Sequence, residues 1–116
     1  MQLARPTAPA LRILHEPLRQ QATVKAQFWV YVGDLRKDGW HVRNFDLTGE
    51  PKEGQVITAI TDVFKRASKP VNVGDDNWRL GEIQGLISKG TTATIKSLYS
   101  IEGYGDGRLW WAEVST

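Results

Sequence analysis

Across residues 22–32 the apolar positions recur at every second residue. Val24, Ala26, Phe28, Val30 and Val32 fall on one side; Thr23, Lys25, Gln27, Trp29 and Tyr31 fall on the other. A period of two marks a strand with one face on a core. Residues 33–39 carry the turn formers Asp34, Asp38 and Gly39, and 40–45 return as a strand, so 22–45 predicts a hairpin. Residues 55–64, rich in Val, Ile and Thr, predict a further strand. Residues 65–79 predict a long polar loop with Pro70, Gly74, Asp75, Asp76 and Asn77. Ile83 to Ile87 and Thr92 to Ile95 flank a Lys89-Gly90 turn and predict a second hairpin. Residues 99–107 are polar and glycine-rich, and 109–114 predict a closing strand. At the start, Pro6 and Pro9 make 1–9 an arm, and 11–14 predict a short strand stopped before Pro17, with a short helix as the alternative. The expected class is all-β.

Composition narrows this little. With 116 residues the chain holds one domain or two very small ones. It has no cysteine, which excludes disulfides, thiolate metal sites and a cysteine nucleophile. No apolar run has the length of a membrane span, and 1–9 lack the apolar segment of a signal peptide. The expected location is therefore cytoplasmic, virion-associated, or exported after trimming of a leader. The formal net charge of +2 is weak for a dedicated nucleic-acid binder.

The order of Ile83, Gly85, Leu86, Lys89, Gly90, Thr91, Thr94 and Ile95 resembles a segment of bacterial SH3 (SH3b) domains. There an apolar residue, a glycine and a short apolar run lead to Lys-Gly-Thr and a Thr-rich or Val-rich strand. Trp111-Ala112-Glu113-Val114 is similar to the family's terminal strand. The resemblance covers residues 55–114. It implies an SH3-like small barrel over 50–116, with the polar loop as its long first loop. The signature after the family's first strand is replaced by Val63-Phe64-Lys65-Arg66-Ala67-Ser68, and the loop is longer.

Residues 1–49 would then be an arm plus an added β-hairpin or a partial second SH3-like unit. Ala22-Thr23-Val24-Lys25 matches Ala93-Thr94-Ile95-Lys96 at an offset of 71, and Phe28, Val30 and Trp40 then match Tyr99, Ile101 and Trp111. That offset suits one SH3-sized duplication; chance likeness between hairpins is the alternative.

Catalytic chemistry has no visible seat. His15 and His41 stand apart from metal-ligand spacings, and Gly103-x-Gly105-x-Gly107 precedes a strand rather than a helix. Asp75-Asp76-Asn77 reads as a solvated turn before it reads as a cation loop. No catalytic residue, metal or cofactor is assigned. The aromatics carry the functional expectation. Phe28, Tyr99 and one of Trp110 and Trp111 are expected in the core. Trp78, Tyr104 and Trp110, with the loop acids Asp75 and Asp76, are the candidate ligand contacts. Trp29, Tyr31 and Lys25 form a candidate interface: self-association or a tightly bound larger partner is expected over a free monomer, with cover by the C-terminal half as the alternative.

SH3b domains are binding modules, so the resemblance implies a non-catalytic module for a cell-wall peptide or a protein partner. An envelope system, a phage particle or a secretion apparatus would suit it. The alternative is a small SH3-like nucleic-acid binder using Lys65, Arg66 and Lys69 with Arg12, Arg19 and Lys25. Against it, 51–116 hold eight basic and eight acidic residues.

Overall fold

The structure, a computed structural model, describes residues 27–116. The arm, the short strand at 11–14, the start of the long strand and Lys25 lie outside the described residues. Nine strands follow in order: β1 Gln27–Arg36, β2 Gly39–Arg43, β3 Val56–Thr58, β4 Val63–Arg66, β5 Val71–Asn72, β6 Trp78–Arg79, β7 Ile83–Ile87, β8 Thr92–Glu102 and β9 Arg108–Ser115. The described residues contain no helix, hence none long and apolar enough to cross a membrane. The class is all-β.

The main sheet runs β3-β8-β9-β1-β4-β7, with β2 added on β1; β5 and β6 form a separate ribbon. Every ladder among the described residues is antiparallel, and β1 is central. It pairs with β9 from Gln27 opposite Ser115 to Leu35 opposite Arg108. Its first half meets β4 at Trp29 opposite Arg66, and its second half meets β2. The change of neighbour falls at Gly33, where the register with β9 shifts between Tyr31 and Gly33. Gly33 has φ 151°, and a Cβ there would lie 2.1 Å from the Val42 carbonyl oxygen. Glycine alone lets the two backbones approach so closely.

The period-two reading of β1 holds. Phe28, Val30 and Val32 are buried, while Trp29 and Tyr31 are half-buried on the other face. They join Phe45, Leu47, Ile57, Ala59, Val63, Ile87, Ala93, Ile95, Ala112 and Val114 in one core. Residues from both sides of the 49/50 boundary thus share a single apolar cluster. Phe45 bridges Ala59 beyond β3, the Asp46 amide donates to the Thr58 carbonyl at 3.0 Å, and the Thr58 amide donates to the Asp46 carboxylate at 2.8 Å. This bridge ties the segment after β2 to the end of β3, and the strand ladders do not close into a barrel.

The β1–β2 hairpin forms as expected, with a tighter two-residue turn at Lys37 and Asp38. The hairpin expected around Gly90 does not. β7 pairs with β4, whereas β8 pairs with β3 and β9. The Lys89-Gly90 turn is present, with Gly90 at φ 93°. Its backbone groups are taken by the segment after β3: the Gly90 amide donates to the Ala59 carbonyl, the Ala59 amide to the Thr91 carbonyl, and the Lys89 amide to Asp62 Oδ1. The turn is therefore a corner that carries the chain from one end of the sheet to the other. The single strand expected over 55–64 is likewise two, β3 and β4, separated by the bend that presents Asp62. β8 runs on through Glu102, so only 103–107 of the glycine-rich stretch forms a turn.

Candidate functional site

Residues of β1, β8 and β9 alternate between the core and a second face. On β9, Ala112 and Val114 enter the core and Trp110 packs against it, while Leu109 and Trp111 point the other way. The registers set Tyr31 on one side of Trp111 and Tyr99 on the other. Tyr31 and Trp111 have ring centroids 5.1 Å apart at 42°, and Trp78 stands edge-on to Tyr99 at 6.5 Å. Four aromatic residues thus cross the outer face of three strands and reach the ribbon.

The segment from Ala67 to Gly81 leaves the sheet between β4 and β7. It returns through a neck in which the Ala67 amide donates to the Glu82 carbonyl and Arg66 Nη1 donates to the Gly81 carbonyl, each at 2.9 Å. Gly81 packs directly on Ser68: a Cβ on it would sit 2.5 Å from the Ser68 carbonyl oxygen. This excursion overhangs the aromatic face and encloses a groove of about 590 Å³. Tyr31, Ile101, Leu109 and Trp111 make the floor; Phe64, Pro70, Trp78 and Leu80 make the wall; Tyr104 stands at the mouth. Pro70 is fully buried and anchors the wall, while Phe64 and Leu80 remain about half exposed. Polar groups are few. Asn44 is fixed by donating to the Tyr31 carbonyl, Arg66 is held by Gly81, and Asp62 accepts the Lys89 amide. Burial raises the Tyr31 phenol above its ordinary pKa, and the nearby Asp34 charge adds to this. The arrangement suits binding by apolar contact, with polar groups at the rim.

Of the candidate ligand contacts, Trp78 and Tyr104 meet in this groove; Tyr104 is 83% exposed. Trp110 lies on the core side, half-buried, because it shares a face with Ala112 and Val114. Asp75 and Asp76 occupy the exposed tip of the ribbon with φ of 50° and 58°. Asp76 also borders a smaller pocket of about 400 Å³ with Trp78, Ser100, Ile101 and Glu102. Of the interface residues, Tyr31 is covered by Trp111 and belongs to the groove floor, and Trp29 is half-buried between Glu113 and Arg66 in register. Phe28 and Trp111 are buried as expected. Tyr99, expected in the core, is half-buried on the second face, with the Lys69 ammonium 4.6 Å above its ring. Phe64, Leu80, Ile101 and Leu109 were not expected. Alternation from Tyr99 to Ile101 and from Leu109 to Trp111 carries the last two; nothing local marks Phe64 and Leu80.

Beyond the mouth, a second pocket of about 440 Å³ is bounded by the hairpin tips. The Lys37 amide donates to Asp106, and His41 contacts Asp38 at 2.8 Å. The hydrogen bond and charge of His41 hold the Asp38 carboxyl below its ordinary pKa. No protein family, curated protein or solved structure matches the chain.

Proposed function

We propose that this protein is a non-catalytic binding module whose aromatic groove receives an extended peptide segment of a protein partner. The observation that carries this reading is the groove itself. It places Trp78, Trp111, Tyr31 and Tyr104 around an open apolar cavity on the face opposite the core. Large flat side chains bury much area at low entropy cost, which is why Trp and Tyr dominate binding hot spots. Kinship to SH3b domains is part of the proposal. It is supported by the long excursion between β4 and β7 and by the groove that this excursion borders. The missing β7–β8 pairing weighs against it. Of the cations of the nucleic-acid alternative, Lys65, Arg66 and Lys69 each lie over an aromatic ring of the chain itself, and Arg12, Arg19 and Lys25 lie outside the described residues.

The test is retention on two supports, purified cell walls and a displayed library of random linear peptides, using the full chain and its Trp78→Ala variant. Peptide clones retained by the first and lost by the second are the expected result. Retention on cell walls that depends on Trp78 would replace the protein partner by a cell-wall peptide. Retention on neither support that depends on Trp78 would overturn the groove as a binding site.

A further inference from the structure

We propose that the peptide bound in the groove carries a lysine or arginine, and that its cation sits beside Trp78 between the carboxylates of Asp76 and Glu102. This rests on the peptide-binding reading above and names the chemistry of its ligand.

The groove does not end at Trp78. The smaller pocket beside it shares Trp78, Ile101 and Glu102 with the groove and adds Asp76 and Ser100. A chain lying along the apolar floor therefore reaches this pocket by passing the indole. The charged residues lining that smaller pocket, Asp76 and Glu102, have one sign. The ionisable residues bordering the two cavities are Asp62, Asp76, Glu102 and Arg66, together with the tyrosines. Arg66 already donates to the Gly81 carbonyl and lies against Phe64. Of the other cations nearby, Lys69 lies over Tyr99, and Arg108, opposite Glu102 in register, donates to Ser100 at 3.3 Å. Neither the Asp76 nor the Glu102 carboxylate has an ion-pair partner among the described residues.

An apolar cavity that opens onto two carboxylates without an ion-pair partner among the described residues complements a segment with apolar side chains followed by a cation. The indole of Trp78 adds cation–π attraction at the same spot. The volume and apolar lining of the groove favour a protein segment as the occupant. Stem peptides of cell walls are built mainly from alanine, an acidic residue and a diamino acid, which leaves little apolar volume to fill about 590 Å³.

The experiment selects a displayed library of random linear dodecapeptides on the full chain and on its Trp78→Ala variant. Selected peptides are then synthesised with lysine or arginine replaced by norleucine. They are titrated against the wild-type protein and against Asp76→Asn, Glu102→Gln and the double variant. Both positions are exposed and outside the core, so folding is preserved, which thermal unfolding verifies. Clones that depend on Trp78 should be enriched in Lys or Arg beside apolar residues. Each carboxylate removed should weaken binding about two- to five-fold, with the norleucine peptides indifferent to it. Trp78-dependent clones without such enrichment, or with affinities unmoved by the charge variants, overturn the cation pocket and leave the groove standing. Absence of Trp78-dependent clones overturns the groove and this inference together.

Discussion

The neck of the excursion gives the sharpest test of how the groove wall is held. In Gly81→Ala the new methyl carbon would lie 2.5 Å from the Ser68 carbonyl oxygen and 2.7 Å from its amide nitrogen. These are backbone atoms, so no rotamer relieves the clash. The neck must widen by most of an ångström, and the bonds from Ala67 to Glu82 and from Arg66 to Gly81 flank the contact. Overpacking of this kind costs about 1–3 kcal/mol. The core has no part in the contact, so the cost should appear as easier opening of the excursion. At about 1.4 kcal/mol per factor of ten, protection of the Ala67 amide against hydrogen exchange should fall roughly 5- to 150-fold. Amides of β1 and β9 should keep theirs apart from any change in global stability. Amide exchange read by nuclear magnetic resonance gives both numbers in one experiment, and affinity for a groove peptide should fall with Ala67 protection. Unchanged Ala67 protection would refute the reasoning, because it would mean that the neck is not what positions Trp78.

Other outcomes follow from the same geometry. Gly33→Ala should cost about 3–5 kcal/mol in guanidinium unfolding, since the methyl meets the Val42 carbonyl at 2.1 Å in a backbone region disfavoured for alanine; a loss below about 1 kcal/mol would contradict the close approach. Trp111→Ala should cost about 3–5 kcal/mol as a buried floor residue, whereas Trp78→Ala should leave stability within about 1.5 kcal/mol and abolish peptide binding; both are read from denaturation curves and titrations. Burial holds the Tyr31 proton longer in the folded state than in the unfolded one. Its stabilising contribution is therefore present below the ordinary phenol pKa of about 10 and is lost as pH rises toward the folded value. Tyr31→Phe should flatten that alkaline decline, and absorbance at the tyrosinate band should lose its latest-titrating phenol.

The parts of the fold legible in the sequence are those set by local alternation. Phe28, Val30 and Val32 declare the buried face of β1 because every second residue is apolar and nothing interrupts the run. The β1–β2 hairpin is legible because its turn residues lie between two alternating segments. The pairing of β7 was not legible. Lys89-Gly90 has the same turn chemistry whether its flanking strands pair or part, and Ala59, which decides the matter, lies thirty positions earlier. The groove was half legible. Trp78 and Tyr104 stand out as aromatics in polar stretches. Trp110 and Trp111 are adjacent, so a single register shift exchanges their faces, and such shifts occur in both ladders of β9. Phe64 and Leu80 acquire meaning only through the excursion that brings β6 over the sheet.

The central place of β9 has a consequence for how the chain is made. Synthesis delivers β1 first among the described strands and β9 last, yet these two share eight register pairs, from Gln27 with Ser115 to Leu35 with Arg108. Until residues 108–115 have left the ribosome, the apolar face of Phe28, Val30 and Val32 has no neighbour on that side, and β8 lacks the strand that joins it to β1. Contacts this distant in sequence form slowly and leave sticky surface open meanwhile. Assembly of this sheet must therefore wait until residues 108–115 have emerged. A chain interrupted before Arg108 would emerge as two half-sheets with raw edges, and it would aggregate rather than fold into a smaller version of the domain.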